Sequence, residues 1–248
     1  MNQVNYPRHE LPILMYHRLV IQAPDYTKFD LCVTAQDFEE QLLWLKAWGF
    51  TSVTFEDLAE KPAPAKPIVI IFDDGYEDNY LNLFPLLKKH QVKAVISILG
   101  DRTLRQNEWD IPKGDPAVPL LNDAQVLEMA ESALVEFGAH SMTHQRLTEA
   151  SSDEIRRQVE DSKKSLESLL EKPVLSFTYP YGSVNEAVKQ AVREAGFSFG
   201  LAVGTGPTRF SADLFEIRRI PMVPKTSRWQ YFKKTSGFYL RYRKIFHP

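Results

Sequence analysis

The stretch Ile-Val-Ile-Ile-Phe-Asp-Asp-Gly at residues 68–75 joins an uninterrupted apolar run to two adjacent acidic residues. Such a run is typical of a strand that is buried on both faces, as in a parallel sheet covered by helices. Burying two neighbouring carboxylates without cations is costly, because like charges and desolvation both raise their pKa values. One aspartate suffices to form the turn before Gly75. The pair therefore predicts a division of labour, with one carboxylate on a metal ion and the other handling protons.

Six other apolar runs lie along the chain on both sides of this stretch. The seven candidate strands are residues 11–16, 68–72, 94–99, 134–138, 174–178, 198–203 and 215–221. Between them lie amphipathic stretches with helix signals, namely the capping residues Thr34, Ser151 and Asn185 and the terminal glycines Gly49 and Gly196. Strands that alternate with helices predict an α/β fold, a single deformed (β/α) barrel of about seven parallel strands.

The chain is predicted to form one domain. Its 248 residues allow a large core, and the proline-rich segment 61–67 is interpreted as a rigid connector. We expect an N-terminal extension at residues 1–10, the barrel at 11–227 and a basic, aromatic tail at 228–248. The single cysteine, Cys32, excludes an internal disulfide and a thiolate zinc cluster.

Charge and hydropathy exclude several other classes of protein. The 30 basic and 32 acidic residues nearly cancel, so no nucleic-acid partner is expected. No apolar run approaches the ~20 residues that a membrane span needs. The apolar run at 11–15 is too short for the core of a signal peptide. These features predict a cytoplasmic protein.

Polar side chains follow several candidate strands at the points where the strands end. His17 ends the first strand, and Asp73 and Asp74 follow the second. Because the carboxyl ends of the strands of a parallel barrel share one face, we expect these side chains to converge there. His140 and His144 follow another strand and are four residues apart. This spacing predicts that both imidazoles lie on one side of a helical turn, where they can bind one metal ion.

Three segments resemble the motifs of the polysaccharide deacetylases of carbohydrate esterase family 4, also called the NodB-homology family. They are Ile-Phe-Asp-Asp-Gly at 71–75, His-Ser-Met-Thr-His at 140–144 and Phe-Thr-Tyr-Pro-Tyr-Gly at 177–182. The resemblance implies a catalytic base, a set of metal ligands and a groove wall. The implied residues are Asp73 as the base, Asp74, His140 and His144 as ligands, and Tyr179, Pro180 and Tyr181 along the groove. Ser141 lies next to the first ligand histidine, and we expect it to orient the loop that carries the ligands. The metal and the backbone N–H of Tyr181 are expected to hold the oxyanion.

The opening Ile-Leu-Met-Tyr-His at 13–17 is similar to the subgroup of poly-N-acetylglucosamine deacetylases, in which an N-terminal motif supplies the catalytic acid. The similarity implies that His17 is the general acid. One position departs from the family, because Thr178 stands where an arginine normally pairs with the catalytic aspartate. Arg219 is expected to supply the missing cation, with Arg218 as the rival. Strand alternation allows only one of the two to face the site.

The resemblance implies a metal-dependent hydrolase that removes N-acetyl groups from an N-acetylated sugar, oligosaccharide or polysaccharide. The expected cofactor is a divalent metal, with Zn²⁺ as the favoured ion. Two alternatives stay open. One is a catalytically silent carbohydrate-binding module on the same fold, and the other is an amidase that acts on a small amide other than a sugar. A wide groove favours a polymer, and a closed pocket favours a small molecule.

The C-terminal segment 228–248 is basic and aromatic and contains no acidic residue. Its basic residues are Arg228, Lys233, Lys234, Arg241, Arg243 and Lys244. Its aromatic residues are Trp229, Tyr231, Phe232, Phe238, Tyr239, Tyr242 and Phe246. Two interpretations remain open, a peripheral contact with an anionic membrane and a closing helix whose aromatic side chains pack on the barrel.

Overall fold

Seven parallel strands close into a barrel in the computed structural model, which describes residues 11–23 and 31–236. The ten strands of the described chain are β1 (Ile13–Tyr16), β2 (Arg18–Val20), β3 (Cys32–Thr34), β4 (Thr51–Ser52), β5 (Pro67–Phe72), β6 (Ala94–Ile98), β7 (Val135–Ala139), β8 (Ser176–Thr178), β9 (Phe199–Val203) and β10 (Ile217–Pro221). The barrel consists of β1 and β5 to β10, and β1 closes the ring by pairing with both β10 and β5. The predicted fold class is confirmed.

Three short strands lie outside the ring. β4 pairs with the start of β5, and β2 pairs with β3 in a separate parallel sheet. None of the three was predicted, because two or three residues are too few to show a hydrophobic period.

Helices cover the outside of the barrel. They are α1 (Ala35–Ala47), α2 (Phe55–Glu60), α3 (Phe84–His90), α4 (Asp123–Glu131), α5 (Ser152–Leu170), α6 (Glu186–Glu194) and α7 (Arg228–Thr235). The predicted capping residues Thr34, Ser151 and Asn185 each accept a hydrogen bond from a backbone N–H in the first turn of α1, α5 and α6. A π-helical turn at Asn79–Leu83 precedes α3 directly.

The barrel strands are largely buried on both faces, as their mainly apolar sequences predict. In β5, Ile68, Ile70 and Phe72 pack with the surrounding helices, whereas Val69 and Ile71 pack in a second cluster with residues of other barrel strands. This second cluster fills the barrel interior, since successive side chains of a strand point to opposite faces. Cys32 is buried and forms no disulfide.

The described part of the tail is the helix α7, which packs against α1. Tyr231 is fully buried, and its ring lies 5.7 Å from that of Trp44 and 6.0 Å from that of Trp48. The remainder of the predicted tail, 237–248, and the predicted extension at 1–10 lie outside the described residues. None of the helices in the described part of the chain combines the length and the hydrophobicity of a membrane span.

Candidate active site and metal centre

Strand alternation brings three polar side chains to the carboxyl end of the barrel interior. Alternate residues of each strand point into the barrel. They are Ile13 and Met15 of β1, followed by His17; Val69 and Ile71 of β5, followed by Asp73; and Ile217 and Arg219 of β10. Because β10, β1 and β5 are neighbours in the ring, His17 lies between the strands that carry Arg219 and Asp73. The predicted convergence at the strand ends is therefore observed for these residues.

Asp74, His140 and His144 form a compact group of possible metal ligands. Asp74 Oδ1 lies 3.2 Å from His140 Nε2 and 3.2 Å from His144 Nε2, and all three side chains are buried. Ligand atoms bound to one zinc ion at about 2.0–2.1 Å in a tetrahedral arrangement lie about 3.3 Å apart. The spacing therefore fits a single divalent ion.

The hydrogen bonds around the triad also fit a bound cation. His140 Nδ1 donates to the backbone oxygen of Thr178 at 2.8 Å, so whenever this ring is neutral its Nε2 directs a lone pair towards Asp74 Oδ1. That oxygen is buried and has no hydrogen-bond partner among the described residues. Two lone pairs that face each other at 3.2 Å need a cation or a proton between them. The bond from His140 to Thr178 also fixes the orientation of the ring, as is common for histidines that bind metals.

Left-handed backbone conformations build this site. Four of its residues have positive φ angles without being glycine, at 72° for Asp74, 63° for Ser141, 60° for His144 and 59° for Tyr181. Such conformations cost about 1–3 kcal/mol each for most residues and are concentrated at functional sites. Their recurrence here indicates that the direction of these side chains and N–H groups is under constraint.

The helical turn predicted for His140 and His144 is wrong, although the two imidazoles do converge. β7 ends at Ala139, and residues 141–143 form a turn with left-handed residues rather than a helix. Ser141 Oγ accepts the backbone N–H of His144 at 3.0 Å and closes this turn. A spacing of four residues is compatible with either arrangement, so spacing alone could not distinguish them.

The electrostatics of the triad favour a cation. Burial alone would raise the pKa of Asp74, but the neighbouring imidazoles of His144 and His140 hold it well below its usual value. Burial lowers the pKa of His144 and so favours the neutral ring, the form that binds metals. Burial opposes protonation of His140 as well, but the hydrogen bond to Asp74 and the charges of Asp73 and Asp74 raise its pKa. The group therefore offers one carboxylate oxygen and two imidazole nitrogens, a donor set that suits zinc and other divalent transition metals.

Asp73 faces a different partner from Asp74. Arg219 Nη1 donates to both carboxylate oxygens of Asp73 at 2.7 Å, and both side chains are buried. Arg218 instead donates to the backbone oxygen of Gly206 at 2.7 Å. Of the two arginines, Arg219 is thus the one in contact with Asp73. His17 Nε2 lies 3.9 Å from Asp73 Oδ2.

A cavity of about 290 Å³ opens above these groups. His17, Asp73, both metal-site histidines, Tyr179 and Tyr181 line it, whereas Pro180 is buried and is not among the lining residues. Tyr179 is fully buried and donates its hydroxyl to Phe215 O, while Tyr181 is 41% exposed at the rim. At the position of the family arginine, Thr178 is buried and bonds Ser97 Oγ at 2.7 Å.

Two site residues were not predicted from the sequence. The Trp109 ring stacks on His144 at 4.6 Å, and Asp110 is buried and lines the cavity. Lys113 connects Asp110 to the rim, because its Nζ donates to Asp110 Oδ1 and to Tyr181 Oη. These residues belong to the long connection between β6 and α4, which has no strand or helix period that could place them.

Comparisons with known proteins agree with this geometry. The sequence model of the polysaccharide deacetylase family matches residues 60–200. The poly-beta-1,6-N-acetyl-D-glucosamine N-deacetylase of Staphylococcus epidermidis is 24% identical over 260 residues, covering 95% of this chain and 86% of the relative. The deacetylase PplD of Streptococcus pyogenes, solved in complex with acetate, has a TM-score of 0.76 and 25% identity, covering 93% of this chain and 100% of its own. A polysaccharide deacetylase from Bacillus cereus has a TM-score of 0.75 and 26% identity, covering 92% of this chain and 69% of its own.

Proposed function

The chain belongs to the polysaccharide deacetylase family, and from that premise we propose that it removes N-acetyl groups from a polymer of N-acetylglucosamine by metal-dependent hydrolysis. The family and its relatives identify the protein as a carbohydrate deacetylase, which is a hydrolase. One observation supports the finer proposal most strongly. A buried carboxylate, Asp73, is held by Arg219 directly beside a second carboxylate that faces two imidazoles, at the base of one cavity.

Asp74, His140 and His144 are proposed to hold a divalent ion, and the one-oxygen, two-nitrogen donor set makes Zn²⁺ our expected ion. When bound, such an ion supplies Lewis-acid chemistry, which polarises a carbonyl group and acidifies water. Three protein ligands leave coordination positions open, as in other catalytic metal sites. Ser141 is proposed to keep His144 in place through the hydrogen bond that closes the turn.

Asp73 is proposed to be the general base. Its contact with Arg219 places a positive charge against the carboxylate and fixes both oxygens, so the group accepts a proton from the attacking water without first having to reorient. Such a base typically contributes about 10²–10⁴-fold to the rate. Arg219 is therefore the proposed orienting cation, in place of the family arginine that Thr178 replaces.

His17 is proposed to be the general acid. The leaving group of an acetamide is an amine nitrogen, which departs only when it receives a proton, and His17 lines the cavity on the side of Asp73. Tyr181 lies at the rim with a left-handed backbone conformation, and we propose that its backbone N–H holds the developing oxyanion. Each chemical step of the proposed hydrolysis is thus assigned to a named group.

The shape of the site favours a polymer over a small amide. A volume of about 290 Å³ lies at the low end for sites that enclose a whole ligand. The exposed Tyr181 and partly exposed His17 leave the mouth open to solvent. One N-acetylated sugar unit is therefore proposed to enter the cavity, while the rest of the chain lies across its mouth.

Acetate release from a panel of substrates tests this function. The panel contains β-1,6-linked and β-1,4-linked N-acetylglucosamine oligomers, monomeric N-acetyl sugars and small acetamides, each with added Zn²⁺ and with a chelator. We expect release from an oligomer with metal and none with the chelator. Release from the small acetamides alone would support the amidase, and binding of the oligomers without any release would support the silent carbohydrate-binding module.

We also propose that α7 and the segment after it rest on an anionic membrane surface. Trp229 and Phe232 are 63% and 42% exposed, and their rings stack at 5.7 Å on the outer face of a helix that Tyr231 anchors. Arg228 and Lys233 are exposed beside them, and no acidic residue follows Glu216 in the sequence. Exposed aromatic side chains next to cations favour the interface of a negatively charged bilayer.

Co-sedimentation with vesicles tests the membrane proposal. We expect binding to phosphatidylglycerol vesicles at low salt, less at high salt, and little to neutral phosphatidylcholine vesicles, because each basic residue near the surface contributes about 1 kcal/mol. Trp229→Ala with Phe232→Ala should weaken binding, and the exposed Leu127→Ala on α4 is the matched control. Equal binding by all variants, or none by the intact protein, would make α7 a purely structural element.

A further inference from the structure

The segment that carries His17 is held through its backbone. The backbone oxygen of Tyr16 accepts the N–H of Asp73 at 2.9 Å. The next oxygen, that of His17, accepts Nδ2 of Asn79 at 3.0 Å. His17 Nε2 is 3.9 Å from Asp73 Oδ2, beyond hydrogen-bond distance, so this contact does not fix the ring. The backbone therefore decides where the imidazole lies relative to Asp73.

Asp78 and Asn79 form a clamp on residues 17–19, which we call the Asp78–Asn79 clamp. Asp78 accepts Arg18 Nε at 2.9 Å with one oxygen and the backbone N–H of Leu19 at 3.1 Å with the other. Asn79 Nδ2 also donates to Asp78 Oδ1 at 3.0 Å, which joins the two clamp residues. Asn79 is completely buried. Three successive residues after β1 are thus bound by two adjacent side chains.

The clamp lies on the same short segment as Asp73 and Asp74. Asn79 begins the π-helical turn Asn79–Leu83, a rare conformation that is frequent at functional sites. Only four residues separate Asp74 from Asn79 in the sequence. A single stretch of chain thus carries Asp73 and Asp74 and also grips the segment that bears His17.

We propose that Asn79, supported by Asp78, is a positioning residue that sets the distance and orientation of His17 for proton donation to the leaving amine. The proposal rests on the function proposed above, since it takes His17 as the acid. Asn79 is not one of the three proposed metal ligands and does not line the cavity. A displacement of about 1 Å in such a group can lower the rate by about 10²-fold. Loss of the clamp should therefore affect reactions that need an acid and spare those that do not.

Two substrates with different leaving groups separate these effects. The leaving group of a β-1,6-linked N-acetylglucosamine oligomer is an amine, which needs a proton from an acid to depart. The leaving group of 4-nitrophenyl acetate is a stable phenolate, which departs without one. Asn79→Ala is compared with His17→Ala, which removes the proposed acid, and with Asn82→Ala as the matched control. Asn82 Nδ2 donates to the backbone oxygen of Leu19, two residues beyond His17. Asn79→Ser serves the same purpose if Asn79→Ala does not fold.

For Asn79→Ala we expect kcat on the oligomer to fall about tenfold to a hundredfold with little change in KM, and kcat on the ester to fall less than about threefold. Asn82→Ala should change neither by more than about threefold. The proposed role of the clamp alone would be overturned if His17→Ala lost more activity on the oligomer than on the ester, while Asn79→Ala lost both activities equally or lost none on the oligomer. A His17→Ala variant that loses both activities equally would overturn the proposed acid and the clamp together.

Discussion

Asp73 and Asp74 are adjacent in the sequence, but the backbone directs them to different partners. Asp73 continues the inward series of β5 and meets Arg219, while the positive φ of Asp74 turns its carboxylate towards the two imidazoles. Gly75 follows with φ +70°, and a Cβ there would lie 2.6 Å from Ile98 Cγ2. The turn therefore requires glycine at position 75. The sequence predicted two roles for the pair from the cost of burying like charges.

Exchanging each aspartate for its amide separates the two roles. Asp73→Asn should keep its metal and lose about 10²–10⁴-fold in turnover, because an amide does not accept the proton of water. Asp74→Asn should lose metal, because one of the three proposed ligands is weakened. Metal content and acetate release are measured on the same samples. If Asp73→Asn loses its metal as readily as Asp74→Asn, the roles are wrongly assigned.

Arg219 and Arg218 form a natural pair of test and control. Arg219→Met leaves the buried Asp73 without its cation, a change that costs about 3–5 kcal/mol of folding stability. Arg218→Met removes hydrogen bonds to loop carbonyls at the edge of the strand and should cost about 1 kcal/mol. Urea unfolding compares the two. Similar losses for both would show that the contact between Arg219 and Asp73 is of no special value.

At the scale of the element, long strands were predictable and short segments were not. The seven barrel strands follow from mainly apolar runs, and the starts of α1, α5 and α6 follow from their capping residues. β2, the π-helical turn at Asn79–Leu83 and the turn after β7 each make contacts with distant parts of the chain. Local sequence carries little information about such segments.

Glu136 in β7 is an acidic residue on the inner face of the barrel. It is 2% exposed, Oε2 accepts the backbone N–H of Glu56 at the start of α2, and Oε1 has no partner among the described residues. Burial raises the pKa of Glu136 to about 8, although the N–H of Glu56 opposes the shift. The unfolded value is about 4.3. The protonated side chain therefore stabilises the fold fully below about pH 4.3, and this contribution is lost as the pH rises to about 8.

Glu136→Gln should remove this pH dependence, because the amide stays neutral and can still accept the N–H of Glu56. Relative to the unchanged protein, the variant should gain at least about 1 kcal/mol of stability between pH 5 and pH 8. Urea unfolding at several pH values gives the difference, and the exposed Glu131→Gln is the control. If the difference in the free energy of unfolding between Glu136→Gln and the unchanged protein is the same at every pH, the pKa of Glu136 is not raised in the folded state.

At the scale of the whole molecule, closure of the barrel assembles the site. Arg219 and Asp73 are 146 residues apart in the sequence, yet they meet because β1 pairs with both β10 and β5. From an expected parallel barrel we could predict that the carboxyl ends of the strands converge, but the order of the strands around the ring decides which of these ends are in contact. The stacking of Trp109 on His144 depends on how a long connection folds over the mouth, and no local pattern encodes that path.

Restoration of activity by metal tests the central claim most directly. The chelated, metal-free protein is titrated with Zn²⁺, and bound metal and acetate release from a β-1,6-linked N-acetylglucosamine oligomer are measured together, with Asp74→Ala as the control. We expect no release without metal, a rise in proportion to bound metal up to one ion per chain, and no recovery in Asp74→Ala at equal free metal. Full activity of the metal-free protein, or no acetate at any metal content, would contradict the account.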